Sequence, residues 1–473
     1  MCPPRLRSSW LILLGLVLPV QAKELVKVEH ARQLRGAWVA SVANMHWPAR
    51  AGLSIARQQQ DLLLMLDRLS QAHFNAVFFQ VRPEGDALYR SELEPWSRFL
   101  GGRQGQDPGY DPLEYLVDQA HQRGLEVHAW LNPYRAQATP PPPATELPTA
   151  PHLAAVEPES VLSYGDLRWM DPGSPPVRAR LVKVCQDLTG RYDLDGLHFD
   201  DYFYPYPSGE LEFPDRASYE SSGTSLSIGD WRRAQVNEAI QEVSAAVAAK
   251  KSYVRFGISP FGIPAPQKPE QITGLDQYEK LYADTQHWMD EGWVDYLAPQ
   301  LYWPTTRQAQ AYEPLLQWWR EHARDGRYIF PGLNLAALGS KSEWDLAEYR
   351  RELALAQPCQ GFIIWNIAPI LENRQNVKEE LFAGPTVLTP PLASSATRTA
   401  AAPEISQQGA RVSLTHTDAV PWRAYTVYAW DQDHWSLRQI LLASQLELPS
   451  GRWALASVSR DGVESQGCVV SVP

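Results

Sequence analysis

Two consecutive carboxylates, Asp200 and Asp201, close the short apolar run Leu194-Asp195-Gly196-Leu197-His198-Phe199, and three aromatics, Tyr202, Phe203 and Tyr204, follow them. Side chains alternate along a strand, so Leu197 and Phe199 share one apolar face while His198 and Asp200 share the other. An acid at the tip of a buried strand is suited to proton transfer or to nucleophilic attack. Asp200, on the inward face, is the first candidate for the essential carboxylate; Asp201 either joins the chemistry or orients its neighbour. Glu84, in the run Arg82-Pro83-Glu84-Gly85-Asp86, is the best acid/base partner, with Asp86 and Asp171 as rivals and a turn-capping role as its alternative.

The same alternation selects the side chains that would wall a cleft around these acids. Bulky apolar residues face outward, which leaves Trp38, Gln80, Arg82, His128, Trp130, Asn132, Gln300 and Tyr302 on inward faces. Trp365 or Asn366 joins them depending on register. Arg135 and Tyr202 follow at the rim. This wall is rich in flat rings and planar hydrogen-bonding groups, which suit the C–H faces and hydroxyls of a sugar. Hydrolysis of a glycosidic bond also requires an acid and a second carboxylate, and both are present. The competing structural reading makes Asp200 and His198 interior ions paired with Arg82. His128, His198, Asp200 and Asp201 could ligate a divalent ion, but the spacing of a metal motif is missing, so neither metal nor cofactor is expected.

These residues belong to a regular series. Strand patterns at 35–41, 76–82, 125–132, 194–201, 255–262, 295–303, 328–336 and 361–368 alternate with helical patterns at 54–72, 111–123, 177–191, 230–250, 277–291, 308–324, 343–355 and 373–382. Eight such units predict a (β/α)8 TIM barrel over residues 23–383. A doubly wound sheet competes, but no glycine-rich fingerprint follows the first strand. Long loops, Pro133 to Pro176 with its Pro140–Pro143 run and Tyr202 to Gly229, leave neighbouring strands and would wall one cleft. Residues 384–402 read as a linker. Residues 403–473 read as a small fibronectin- or immunoglobulin-like β-sandwich, in which Trp422, Trp430, Trp435 and Trp453 either bind glycan or form core.

Residues 1–22 carry a basic start at Arg5 and Arg7, an apolar run from Trp10 to Leu18 and a small-x-small site at Val20-Gln21-Ala22, the pattern of a cleaved signal peptide. The apolar run is too short to span a bilayer. Loss of those two arginines takes the formal charge from −11 to about −13, which disfavours nucleic acid. Cys185, Cys359 and Cys468 show no metal spacing and are expected to be mainly buried thiols, with one disulfide as the alternative. A soluble exported monomer is the expectation.

Six segments then resemble one family. They are Leu34-Arg35-Gly36-Ala37-Trp38-Val39, Phe78-Phe79-Gln80-Val81-Arg82-Pro83, His128-Ala129-Trp130-Leu131-Asn132-Pro133-Tyr134, Asp195 to Tyr202, Ile258-Ser259-Pro260-Phe261-Gly262, and Asp295 to Trp303. In this order they are similar to the bacterial glycosyl hydrolase-like family 10, over roughly residues 34–380. The resemblance implies a barrel glycosidase of the cell envelope that cleaves a β-1,4 N-acetylhexosamine polymer, namely peptidoglycan glycan strands stripped of stem peptides. It places the catalytic acid at Asp200 or Asp201 and supports Glu84 more weakly. Enterobacterial relatives resemble outer-membrane lipoproteins. No usable lipobox is found here, because Cys2 precedes the apolar run, so a periplasmic enzyme is expected, with outer-membrane association as the variant. An exopolysaccharide glycosidase and a non-catalytic glycan-binding barrel are the alternative functions.

Overall fold

The structure, a computed structural model, describes residues 23–138, 148–324, 326–341, 344–384, 386–392, 395 and 397–473. The expected leader at 1–22 and the Pro140–Pro143 run lie outside the described residues.

Eight parallel strand positions recur along the chain: β1 (Leu34–Val39), β2 (Ala76–Arg82), β3 (Glu126–Leu131), β4 (Gly196–Phe199), β5 (Arg255–Ile258), β6 (Tyr296–Leu297), β7 (Tyr328–Ile329, resuming at Gly332–Leu333) and β8 (Gly361–Ile364). The first half of β7 pairs with β6 and its second half with β8. Every other neighbour is the next strand in sequence, so the sheet closes on itself as a barrel. Helices such as Ile55–Gln71, Pro175–Arg191 and Ile228–Lys250 fall where the periodicity predicts them, whereas the expected 277–291 helix is two short ones, Gln277–Lys280 and Thr285–Asp290, and that at 373–382 shrinks to Val377–Leu381. Ile55–Gln71 buries Leu62, Met65, Leu66 and Leu69 at helical spacing and is capped by Ser54, which accepts from the Arg57 amide.

Alternation sorts two cores. Val77, Phe79, Val127, Ala129, Leu197 and Phe199 pack outward against the helices. Trp38, Phe78, Trp130, Tyr296 and Phe330 fill the barrel interior. Interior rings need room, and glycines on neighbouring strands supply it. A Cβ at Gly196 would overlap the His128 ring, and one at Gly257 would overlap the ring of Tyr296.

The 133–176 insertion is not bare loop. Arg135–Gln137, Leu167–Met170 and Val161–Tyr164 form a small antiparallel sheet beside the barrel mouth. The C-terminal region is two antiparallel sheets. Glu404–Gln408, Arg411–Thr415 and Gln445–Glu447 make one. The other runs in the order Leu25–Val26, Gly467–Val472, Gly451–Ser459, Trp422–Asp431, His434–Leu441. They share a core of Val412, Leu414, Tyr425, Val427, Leu455 and Val470.

This unit caps the N-terminal ends of the barrel strands. Arg423 pairs with Glu126 at the start of β3, and Arg460 with Asp195 just before β4, at 3.1 Å. The 384–402 stretch, expected as a linker, is pinned there: Leu388, Thr389 and Leu392 are buried, and Arg255 and Tyr328 donate to the carbonyls of Pro390 and Pro391. Cys185, Cys359 and Cys468 are free, buried thiols. No helix among the described residues is long and apolar enough to cross a membrane.

Candidate active site

At the C-terminal ends of the strands a cavity of about 280 Å3 opens between aromatic walls formed by Trp38, Trp130, Tyr202, Tyr302 and Trp365. Gln80, Arg135, Asp200, Asp201, Ser259 and Gln300 supply its polar groups. Asp200 is 3 % exposed. Its Oδ2 accepts from Trp130 Nε1 at 2.9 Å and Asn132 Nδ2 at 3.2 Å, whereas Oδ1 has no partner among the described residues. Burial disfavours the ionised form and pushes its carboxyl up to about 7; Arg135 opposes the shift and Asp201 adds to it. Asp201 is lifted to about 6 by burial, against hydrogen bonds from Tyr206 and Gln300 that hold its charge. Burial thus brings the titration of two adjacent acids toward neutrality, in a pocket walled by aromatic rings. That is the poise needed for general acid–base chemistry.

The surrounding side chains hold this arrangement. Asn132 Oδ1 accepts from the Tyr134 and Arg135 amides, which fixes the turn that brings Arg135 to the rim. The guanidinium of Arg135 lies 5.0 Å from the Tyr202 ring centroid. Gln80 is fully buried; its Oε1 accepts from the amides of Ser41 and Val42, and its Nε2 is left unpartnered among the described residues. The pocket therefore carries one orphan donor and one orphan acceptor, and buried polar groups of that kind call for a ligand or water. Gln300 Nε2 also donates to the Ser259 carbonyl, at 3.0 Å.

Five expected site residues do not line the pocket: Asn132 is sealed behind Asp200, to which it donates, and Arg82, Glu84, His128 and His198 lie elsewhere. Arg82 leaves the alternation at a bulge. The register pairs Gln80 with Trp130 but Arg82 with Leu131, an outward position, so the guanidinium turns away from the cleft and pairs with Glu94 at 2.9 Å. Glu84 follows it out. Its carboxylate takes both Arg98 nitrogens, at 2.8 and 2.9 Å, and the Ala138 amide, so it braces two loops and does not line the pocket. Its rivals are also engaged: Asp86 accepts from the Glu84 amide, and Asp171 from Ser218 and the Gly173 amide. His128 and His198 do face inward, but below the pocket floor. The Tyr296 hydroxyl lies 3.0 Å from the Nδ1 of each, and Trp38 Nε1 donates to His198 Nε2 at 3.1 Å. Burial, then the neighbouring His128, holds His198 well below its usual pKa, hence neutral. Asp200 and Arg82 are not an ion pair.

Ala40, Val42, Met45, Ser259 and Tyr206 are site residues that sequence reasoning misses. Ser259 was reachable, since it continues the inward series Arg255, Gly257 on β5. Tyr206 was signalled only by the aromatic run after Asp201. Among the described residues no three metal-ligating side chains cluster. A larger cavity, about 540 Å3, lies at the seam below the barrel. Among its charged groups, Glu126 pairs with Arg423 and Asp195 with Arg460 across the seam between the barrel and the C-terminal unit.

The sequence profile described as glycosyl hydrolase-like 10 matches residues 33–346. Glycosyl hydrolase YngK of Bacillus subtilis (strain 168) is 38% identical over 367 residues, 74% of this chain and 71% of its own length. Glycosyl hydrolase DigH of Escherichia coli (strain K12) is 35% identical over 336 residues, 67% of this chain and 76% of its own. Among solved structures, the PgaB (BpsB) glycoside hydrolase domain from Bordetella bronchiseptica aligns with a TM-score of 0.49 at 13% identity, over 75% of this chain and 100% of that one.

Proposed function

The chain belongs to the glycosyl hydrolase-like 10 family, and from that premise we propose that it hydrolyses glycosidic bonds of peptidoglycan glycan strands, with Asp200 as the acid that protonates the leaving oxygen. The observation that carries this reading is the state of Asp200: buried, lifted to about 7, with Oδ1 unpartnered among the described residues, and lining a cavity of sugar dimensions. Asp201 works beside it as the ionised partner. Trp38, Trp130, Tyr202, Tyr302 and Trp365 stack sugar faces, while Gln80, Gln300 and Arg135 hold hydroxyl or carbonyl groups. Asn132 positions Asp200. The substrate is a strand freed of stem peptides, since the pocket admits little beyond a sugar. The enzyme works in the periplasm, exported by the leader read at residues 1–22. The C-terminal unit sets three strands against a sheet ordered as in fibronectin-type sandwiches, which supports that assignment. Its position beneath the barrel favours bracing over substrate capture.

The test is digestion of amidase-treated sacculi by the purified protein, with products read by mass spectrometry. The wild type is expected to release soluble glycan fragments, and Asp200→Asn to lower that release by roughly 10²–10⁴-fold. Strand binding without release would make the barrel a binding module. Release from an exopolysaccharide alone would move the substrate.

A further inference from the structure

The two carboxylates in the pocket are consecutive residues on one strand end, and among the described residues no third acid faces them. Both ordinary routes for glycosidic cleavage need carboxyl groups that flank the sugar, one at the leaving oxygen and one at the opposite face of the anomeric carbon. Asp200 and Asp201 both reach the pocket from the end of one strand. Glu84, Asp86, Glu94 and Asp171, the nearby buried acids, are held by Arg98, the Glu84 amide, Arg82 and Ser218 respectively, and none lines the cavity. Among the described residues the rest of the lining is rings, the aliphatic side chains of Ala40, Val42 and Met45, neutral polar groups and the Arg135 guanidinium, with no further carboxylate.

We propose that the missing nucleophile is the substrate's own 2-acetamido group, so that the site cleaves only bonds whose glycone carries a 2-acetamido-2-deoxy sugar. The proposal rests on the glycosidase reading and deepens it. The acetamido carbonyl oxygen attacks C1 from the face away from the leaving sugar. The C1–O bond breaks as the Asp200 proton passes to the departing oxygen, and a bicyclic oxazolinium ion remains. Asp201, ionised, accepts the amide N–H and balances the positive charge. A hydroxyl then gives its proton to Asp200 and adds to C1 on the face the leaving sugar vacated. The ring reopens to the acetamide, and Asp200 regains its acid form. No oxidant, reductant or metal enters the balance. Trp38, Trp130 and Trp365 provide an apolar surface for the acetyl methyl, and the orphan Gln80 Nε2 and the Tyr302 hydroxyl are donors within the same cavity.

The experiment uses glycan strands de-N-acetylated chemically and re-acylated with acetyl, propionyl or trifluoroacetyl groups. Fluorine withdraws electrons from the carbonyl oxygen and weakens it as a nucleophile; propionyl adds bulk without doing so. Expected are similar kcat values for acetyl and propionyl strands, and a fall of about 100-fold or more in kcat on trifluoroacetyl strands, since an intramolecular nucleophile carries much of the rate. The first-formed ends should be β-anomers, or 1,6-anhydro ends if the sugar's own O6 is the hydroxyl that adds. Equal kcat on trifluoroacetyl strands, or α-anomers as first products, would overturn the proposal while leaving the glycosidase standing. No release from the acetylated strands would remove the glycosidase reading itself.

Discussion

Asp200→Asn separates the charge of the carboxylate from its shape. The asparagine carbonyl can still accept from Trp130 Nε1 and Asn132 Nδ2, while its amide nitrogen takes the place of the unpartnered Oδ1. The folded state lifts the Asp200 carboxyl from 3.8 to about 7, chiefly by burial. The folded protein therefore holds this proton more tightly than the unfolded chain does. Its contribution is most favourable below about pH 4 and declines as pH rises to 7, where the buried group ionises. At 1.36 kcal/mol for each pKa unit, the ionised group costs about 4 kcal/mol of stability above pH 7. An asparagine at this position does not ionise, so the variant should match wild type in thermal melting at pH 4 and exceed it by several degrees at pH 8.5. Glycan release should collapse over the same range. Melting curves that track each other across this window would refute the buried, proton-holding carboxylate. A stabilised variant with full turnover would refute its role as the acid.

The pH dependence of kcat/KM should be bell-shaped with limbs near 6 and 7, because Asp201 must be ionised and Asp200 protonated; these limbs belong to the coupled pair. A flat profile from pH 5 to 8 would contradict it. Tyr206→Phe removes a donor to Asp201, so the acidic limb should move upward, read from the same profile. Glu84→Gln leaves the pocket intact but replaces the charge that meets Arg98. Melting should fall by the equivalent of about 2–3 kcal/mol, with kcat on the folded fraction unchanged; a large loss in kcat would restore Glu84 to the chemistry. Trp365→Ala should raise KM about tenfold with a smaller change in kcat, the loss of one stacking face.

The barrel was legible because its strands carry a strict period of two. Alternation puts Gln80, His128, Trp130, Asn132, His198, Asp200 and Gln300 on the inward side, and all lie there. Depth was not legible. Nothing in a strand's alternation says which inward residue reaches the mouth and which is sealed in the layer below, so His128 and His198 read as ligand contacts although they lie beneath the floor. Nor does alternation announce a bulge. One extra residue on β2 turned Arg82 outward and carried Glu84 with it, into an ion pair with an arginine 14 positions on. At the C-terminal end, not every strand shows as apolar alternation. Glu404–Gln408 and Gln445–Glu447 are too polar and too exposed to show.

The residues that begin the described chain, Leu25–Val26, add as an edge strand to Gly467–Val472, in the unit that plugs the barrel from below. Both ends of the described chain consequently emerge on the side remote from the carboxylates. A tether fused at either end, to a bead, a vesicle or another protein, would leave the mouth turned outward toward whatever polymer lies beyond.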